Sequence, residues 1–197
     1  MMGLLILILG LIAFLGAHTF VTAREARAAA MTRLGWAYWP AFAIVSLIGV
    51  ILIAWGFSIY RQTGWIDVWS PPRFMRHITI SLMWVSTVLV LAAYLPGHIK
   101  KWTKHPMLAA VKIWAFAHLL SNGDLGSILL FGSILAWSIY ARIAVKRRER
   151  AGEITNTLAV DSGWTNDVVA LIVGTFIYLA LGFVFHPVMI GVPVFVR

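Results

Sequence analysis

The chain has 197 residues, 61% of them hydrophobic and only 12% charged, with a mean hydropathy of +0.88 and a formal net charge of +9. A soluble domain carries about a quarter charged residues, so this composition excludes a water-soluble fold. The absence of cysteine excludes disulfides, thiolate-held zinc, iron–sulfur clusters, catalytic thiols and a thiolate haem ligand. The positive charge falls in short loops between apolar runs, which is the pattern of membrane topology and not of nucleic-acid binding.

The length fits a single domain, 1–197. A membrane span needs about 20 mostly apolar residues. The first such run is Gly3 to Val21, followed by Arg24, Glu25 and Arg27. No Lys or Arg precedes it, and it exceeds the roughly 7–15 apolar residues of a signal peptide, so the expectation is a retained helix. The second run is Pro40 to Tyr60, and the third is Ile78 to Leu95, closed by Pro96-Gly97. The fourth, Pro106 to Leu120, is short and ends at Ser121-Asn122-Gly123-Asp124. The fifth runs from Leu125 to Val145 and stops at Lys146-Arg147-Arg148-Glu149-Arg150; the polar loop Ala151 to Asn166 follows. The sixth is Val168 to Phe185, closed by His186-Pro187, with an apolar tail expected to lie at the interface.

Irregular backbone cannot face lipid, so these runs predict an all-α, polytopic transmembrane bundle of about six helices. Loops one, three and five hold most of the basic residues, among them Arg24, Arg27, Lys100, Lys101, Lys104 and Arg147. The positive-inside rule places those loops in the cytoplasm and both termini on the far side. In a Gram-negative cell that means an inner-membrane protein with periplasmic termini. Gly3, Gly10 and Ala17 share one face of the first helix, and Gly174 and Gly182 one face of the last. Small residues let helices approach closely in lipid, so packing is their first role.

Ionisable side chains inside a membrane are costly and therefore mark candidate sites. His18, His105, Lys112, His118 and Asp124 stand out. His18 has Phe14 at i−4 and Gly10 at i−8. His118 has Trp114 at i−4 and Ala110 at i−8. In each case a histidine, an aromatic ring and a small residue share one helix face. Gly10 would leave room for a flat group. Two such faces suit a planar macrocycle whose iron takes two imidazoles, although single histidines also serve as polar packing residues.

His105-Pro106 opens the fourth run with Thr103 as an available cap. His105 is either an interfacial residue or a rival ligand to His118. Lys112 either snorkels to the interface or pairs with a carboxylate such as a haem propionate. Asp124 follows a turn signature and is expected to cap the fifth helix. His77, His98 and His186 flank the runs, where interfacial packing is the default. No phosphate loop, serine-hydrolase elbow or H-E-x-x-H motif occurs.

Several stretches together resemble the NnrU family of bacterial membrane proteins. They are Leu-Gly-Ala-His18-Thr; Ala-Tyr94-Leu-Pro-Gly-His98-Ile-Lys; His105-Pro-Met-Leu; Lys112-Ile-Trp-Ala-Phe-Ala-His118-Leu-Leu-Ser-Asn122-Gly-Asp124; Leu-Phe131-Gly; and His186-Pro-Val-Met-Ile-Gly-Val-Pro193. The resemblance covers nearly the whole chain. It implies an association with denitrification, through sensing, electron transfer or reductase maturation, with nitrogen-oxide reductase proteins as partners. It also implies kinship with 15-cis-zeta-carotene isomerase, a b-type haem enzyme with histidine ligands. On that resemblance haem b is the expected cofactor and His18 and His118 are the axial ligands, with His105 in reserve. A haem-dependent cis–trans isomerase of a membrane polyene is the alternative. A scaffold or transporter without haem is the second alternative.

Overall fold

The computed structural model describes residues 1–154 and 163–195; the polar loop after the fifth run lies partly, at 155–162, outside the described residues. The described chain is helical: α1 (Met2–Phe20), α2 (Arg24–Leu34), a 3-10 turn (Gly35–Ala37), α3 (Tyr38–Thr63), α4 (Met75–Tyr94), α5 (His98–Thr103), α6 (Pro106–Ser121), α7 (Leu125–Arg150) and α8 (Thr165–Ala180), which continues as a π-helix over Leu181–Ile190.

Among the described residues, five stretches are long and apolar enough to cross a membrane: α1, α2–α3, α4, α7 and α8 with its π extension. The most apolar window of each is at most 28% buried. Helices this apolar would be buried all round in a soluble protein, so their outward Leu, Ile, Val and Phe side chains are suited to lipid. α6 is apolar but shorter, and 16 residues span about 24 Å against a hydrocarbon layer of about 30 Å. The expected six apolar runs are thus five long helices and one short one. Two further helices occupy what the sequence suggested were loops. α2 (REARAAAMTRL) buries none of its residues, and α5 is a six-residue turn of helix after Pro96-Gly97.

Packing divides the chain into two compact units. The first comprises Met1–Pro71 and Asn122–Val145. Its centre is the antiparallel pair α1–α3, where glycines seven residues apart on each helix interlock. A Cβ on Gly3 would lie 2.4 Å from the Tyr60 backbone nitrogen, and one on Gly10 would lie 2.6 Å from that of Ile53. Reciprocally, Gly56 faces the Leu7 backbone and Gly49 faces Phe14. Backbone-to-backbone approach of this kind is how helices gain dispersion contacts in lipid, where burial of apolar area offers little drive. Gly10 therefore admits α3 and does not leave room for a flat group. Asp124 caps α7 as expected, its Oδ1 accepting from the Ser127 N–H at 2.9 Å.

The second unit comprises Pro72–Ser121 and the described residues from Lys146 onward. α4 packs against both α6 and α8. Hydroxyls stitch these helices together. Thr79 Oγ1 donates to Ala117 O at 2.9 Å and also bonds the Ser121 hydroxyl. Ser86 Oγ donates to Ala110 O at 2.9 Å, and Trp84 Nε1 to Thr175 Oγ1 at 2.9 Å. Gly174 admits the Val88 backbone.

The α4–α5 corner is locked onto the start of α8. The Asp167 carboxylate accepts the N–H groups of His98 and Ile99 at 2.8 and 2.9 Å and the His98 Nδ1–H at 2.9 Å. Asn166 Nδ2 donates to Pro96 O at 2.6 Å. Trp164 stacks on the His98 ring, centroids 4.1 Å apart. His98 is thus a packing residue.

The last span does not close at His186-Pro187. Proline has no N–H to give the i−4 carbonyl and its ring crowds that turn, and the chain here widens into the π-helix that carries Pro187 inside it. The stretch ends where Gly191 adopts a left-handed φ of 73° and the carbonyl of His186 accepts the N–H groups of Gly191 and Val192, a Schellman-like close. The tail then folds back on this helix. Arg76 from α4 donates to the carbonyls of Pro193 and Val194, and Phe195 packs on Phe183 and Tyr178.

Candidate functional site

The two histidine faces nominated by sequence lie in different units. In the first unit His18 sits one turn from the end of α1. Its Nδ1 donates to Phe14 O at 2.7 Å. Its ring meets Phe14, Phe42 and the edge of Trp137, with centroids 4.2, 5.2 and 5.6 Å away. Trp137 Nε1 and Tyr38 Oη are buried without a hydrogen-bond partner among the described residues.

In the second unit His118 repeats the local arrangement. Its Nδ1 donates to Trp114 O at 2.8 Å, and the Trp114 ring lies 5.1 Å away. A carbonyl only accepts, so Nδ1 carries the hydrogen and the ring's lone pair falls on Nε2. That tautomer, with its orientation fixed by a backbone carbonyl, is the form in which histidine binds a metal.

The surroundings of His118 set it apart. A cavity of about 340 Å³ lies between α4, α6 and the π-helical end of α8. Ala110, Val111, Trp114 and His118 line it from α6, Ser86 and Thr87 from α4, and Tyr178, Gly182 and His186 from the last helix. Apart from the two histidines, these hydroxyls and Trp114, the lining is aliphatic and aromatic. The volume is within the range of small-molecule sites, which are mostly apolar with a few placed polar groups. The His118 and His186 rings lie 6.2 Å apart between centroids and are tilted by only 24°.

The other nominated residues lie elsewhere. His105 Nε2 bonds Glu149 Oε1 at 2.6 Å, with side chains 22% and 20% exposed. This pair ties the start of α6 to the last turn of α7. Thr103 does not cap α6, because its hydroxyl donates back to Ile99 O at 2.7 Å. Lys112 is half-buried on a part of α6 that does not line the cavity, and it pairs with no carboxylate among the described residues.

The residue that sequence reasoning passed over is His186. The sequence places it at the interface, because Pro187 reads as the end of the span. A related pattern is present, since Tyr178, Gly182 and His186 follow one another at intervals of four, with the aromatic and small positions exchanged relative to the His18 and His118 faces.

Among the described residues no group of three or more His, Asp or Glu side chains is placed to hold a metal ion. A bare ion in a structural site takes about four protein ligands. An iron that already has four porphyrin nitrogens needs only one or two from the protein. An imidazole pair in an apolar cavity suits the second case and not the first.

No match was found among curated proteins or among solved structures. A family model described as NnrU protein matches residues 6–194, nearly the whole length, and the chain belongs to the NnrU family.

Proposed function

We propose that this chain is a b-type haem-binding protein of the bacterial inner membrane, with His118 as the residue that would hold the iron in the α4–α6–α8 cavity. The observation that carries this reading is the fixed tautomer of His118 in an apolar, helix-walled space. The Trp114 carbonyl holds Nδ1–H, so Nε2 would be the nitrogen offered to the iron, and apolar walls favour retention of a hydrophobic macrocycle. Haem supplies redox and ligand-binding chemistry, and the chain's residues supply orientation, exclusion of water and the axial nitrogen. Family membership supports a role in nitrogen-oxide metabolism, through electron transfer, sensing or support of a reductase. The distribution of basic loops supports periplasmic termini.

The test is haem content after detergent purification from cells supplied with haem. The expected result is a Soret band and about one haem per chain, lost in His118→Ala and kept in His105→Ala. A colourless wild type would overturn the reading in favour of a scaffold or transporter. One further observation favours a second reading: the cavity wall is almost wholly hydrocarbon, as an apolar polyene would require. Isomerase activity on a cis-polyene in vesicles, dependent on bound haem, would establish it.

A further inference from the structure

The segment that joins α1 to α3 takes no part in the cavity described above. α2 and the 3-10 turn after it contain no buried residue, so packing in a core does not explain why this helix is there. α1 and α3 are antiparallel neighbours, each within a stretch able to cross a membrane, so the segment between them lies at one membrane surface. With 11 residues, α2 is about 16 Å long and too short to cross by itself. Gly35, with a φ of 53°, separates it from α3.

The residues here are those of a helix lying on a charged surface. Arg24, Arg27 and Arg33 stand against a single acid, Glu25. Trp36 and Trp39, just beyond, are 86% and 54% exposed, and tryptophan favours the headgroup level of a bilayer. Arg27 differs from the other two arginines. It and Ala30 are half-buried, while the rest of α2 is exposed. Its guanidinium lies over the Trp39 ring, 5.7 Å from the centroid. Its Nε is covered and has no hydrogen-bond partner among the described residues. A covered donor on a charged group costs stability until an acceptor meets it. Stacking on Trp39 fixes the plane of the guanidinium, and a planar fork matches two oxygens of a phosphate. At a membrane surface the phosphates at hand are those of lipid headgroups.

We propose that α2 and the start of α3 form a binding site for an anionic phospholipid, with the Arg27 fork on the phosphate and Trp36 and Trp39 against the upper acyl chain. Arg24 and Arg33 add a positive field that favours a headgroup of net negative charge over a zwitterionic one. The site lies wholly within the first unit and is independent of the haem reading.

The experiment is native mass spectrometry of the delipidated full chain in detergent, given phosphatidylglycerol or phosphatidylcholine with the same acyl chains. Wild type is expected to retain phosphatidylglycerol about fivefold better or more. Arg27→Gln is expected to lower that retention by about fivefold, and Arg27→Lys, which keeps the charge without the fork, by about threefold. Arg33→Gln is expected to stay within about twofold of wild type, since it removes only part of the field. Size-exclusion elution reports whether each variant is folded, and Arg27→Lys carries the test if Arg27→Gln is not. The proposal is overturned if wild type does not distinguish the two lipids or if Arg27→Lys binds as wild type does. It is overturned equally if Arg33→Gln loses as much as Arg27→Gln, which would mean diffuse charge and no site. Displacement of the lipid by inorganic phosphate at millimolar concentration would also overturn it, in favour of a site for a free anion.

Discussion

His18 and His118 follow the same local rule and end in different surroundings. Both donate Nδ1–H to the carbonyl four residues back, and both have an aromatic residue there and a small residue four further on. On α1 the small residue, Gly10, is filled by the backbone of α3, and the imidazole is held among Phe14, Phe42 and Trp137. On α6 the small residue, Ala110, lines a cavity into which a second histidine also projects. The helix sets which side chains share a face. What packs against that face decides whether it is filled or borders a cavity.

The contrast can be broken most sharply at the two histidines. His118→Ala is expected to lower haem content by tenfold or more, while His18→Ala leaves it within twofold; pyridine haemochrome assay of purified protein checks both. Equal losses would mean that the two faces do not differ in holding haem. At the small residues the order reverses. Gly10→Leu is expected to drive a side chain into the α3 backbone and destabilise the fold by about 1–3 kcal/mol or more, since overpacking of a tight contact has that scale. Unfolding in a mixed detergent series would measure it, and an unchanged midpoint would mean that α1 and α3 do not interlock through their glycines.

Two predictions sharpen the contrast by showing which polar groups only hold the second unit together. Asp167→Ala strips a buried carboxylate from two N–H groups and the His98 ring. The expected cost is about 1–3 kcal/mol, from loss of a cap and of buried hydrogen bonds. The spin state of the bound haem should not change. Glu149→Gln breaks the partly exposed pair with His105, with an expected cost of at most about 1 kcal/mol and no spectral effect. A spin-state change on either substitution would show that these contacts reach the cavity.

Hydropathy made the spans legible, because about 20 apolar residues in a row have few other uses. It missed α2 and α5, whose polar sequences have no apolar stripe to reveal them, and it ended the last span too early. Pro187 is ordinarily a stop, and nothing local says that the chain will widen into π turns and continue. The His118 face was legible because helical spacing alone puts Ala110, Trp114 and His118 on one side. Its pairing with His186 was not, because the two are far apart in sequence and meet only through the packing of α6 and α8 on α4. Gly10 shows the converse. Spacing identified a small residue beside a histidine, and only tertiary structure shows that α3 occupies the space.

The most direct measurement is the oxidised and reduced absorption spectrum of the haem-supplied wild-type protein beside His118→Ala. A Soret band with reduced α and β bands in the wild type, absent from a folded His118→Ala, is the result expected if the cavity holds haem through His118. A colourless wild type, or a His118→Ala variant with an unchanged spectrum, would contradict it.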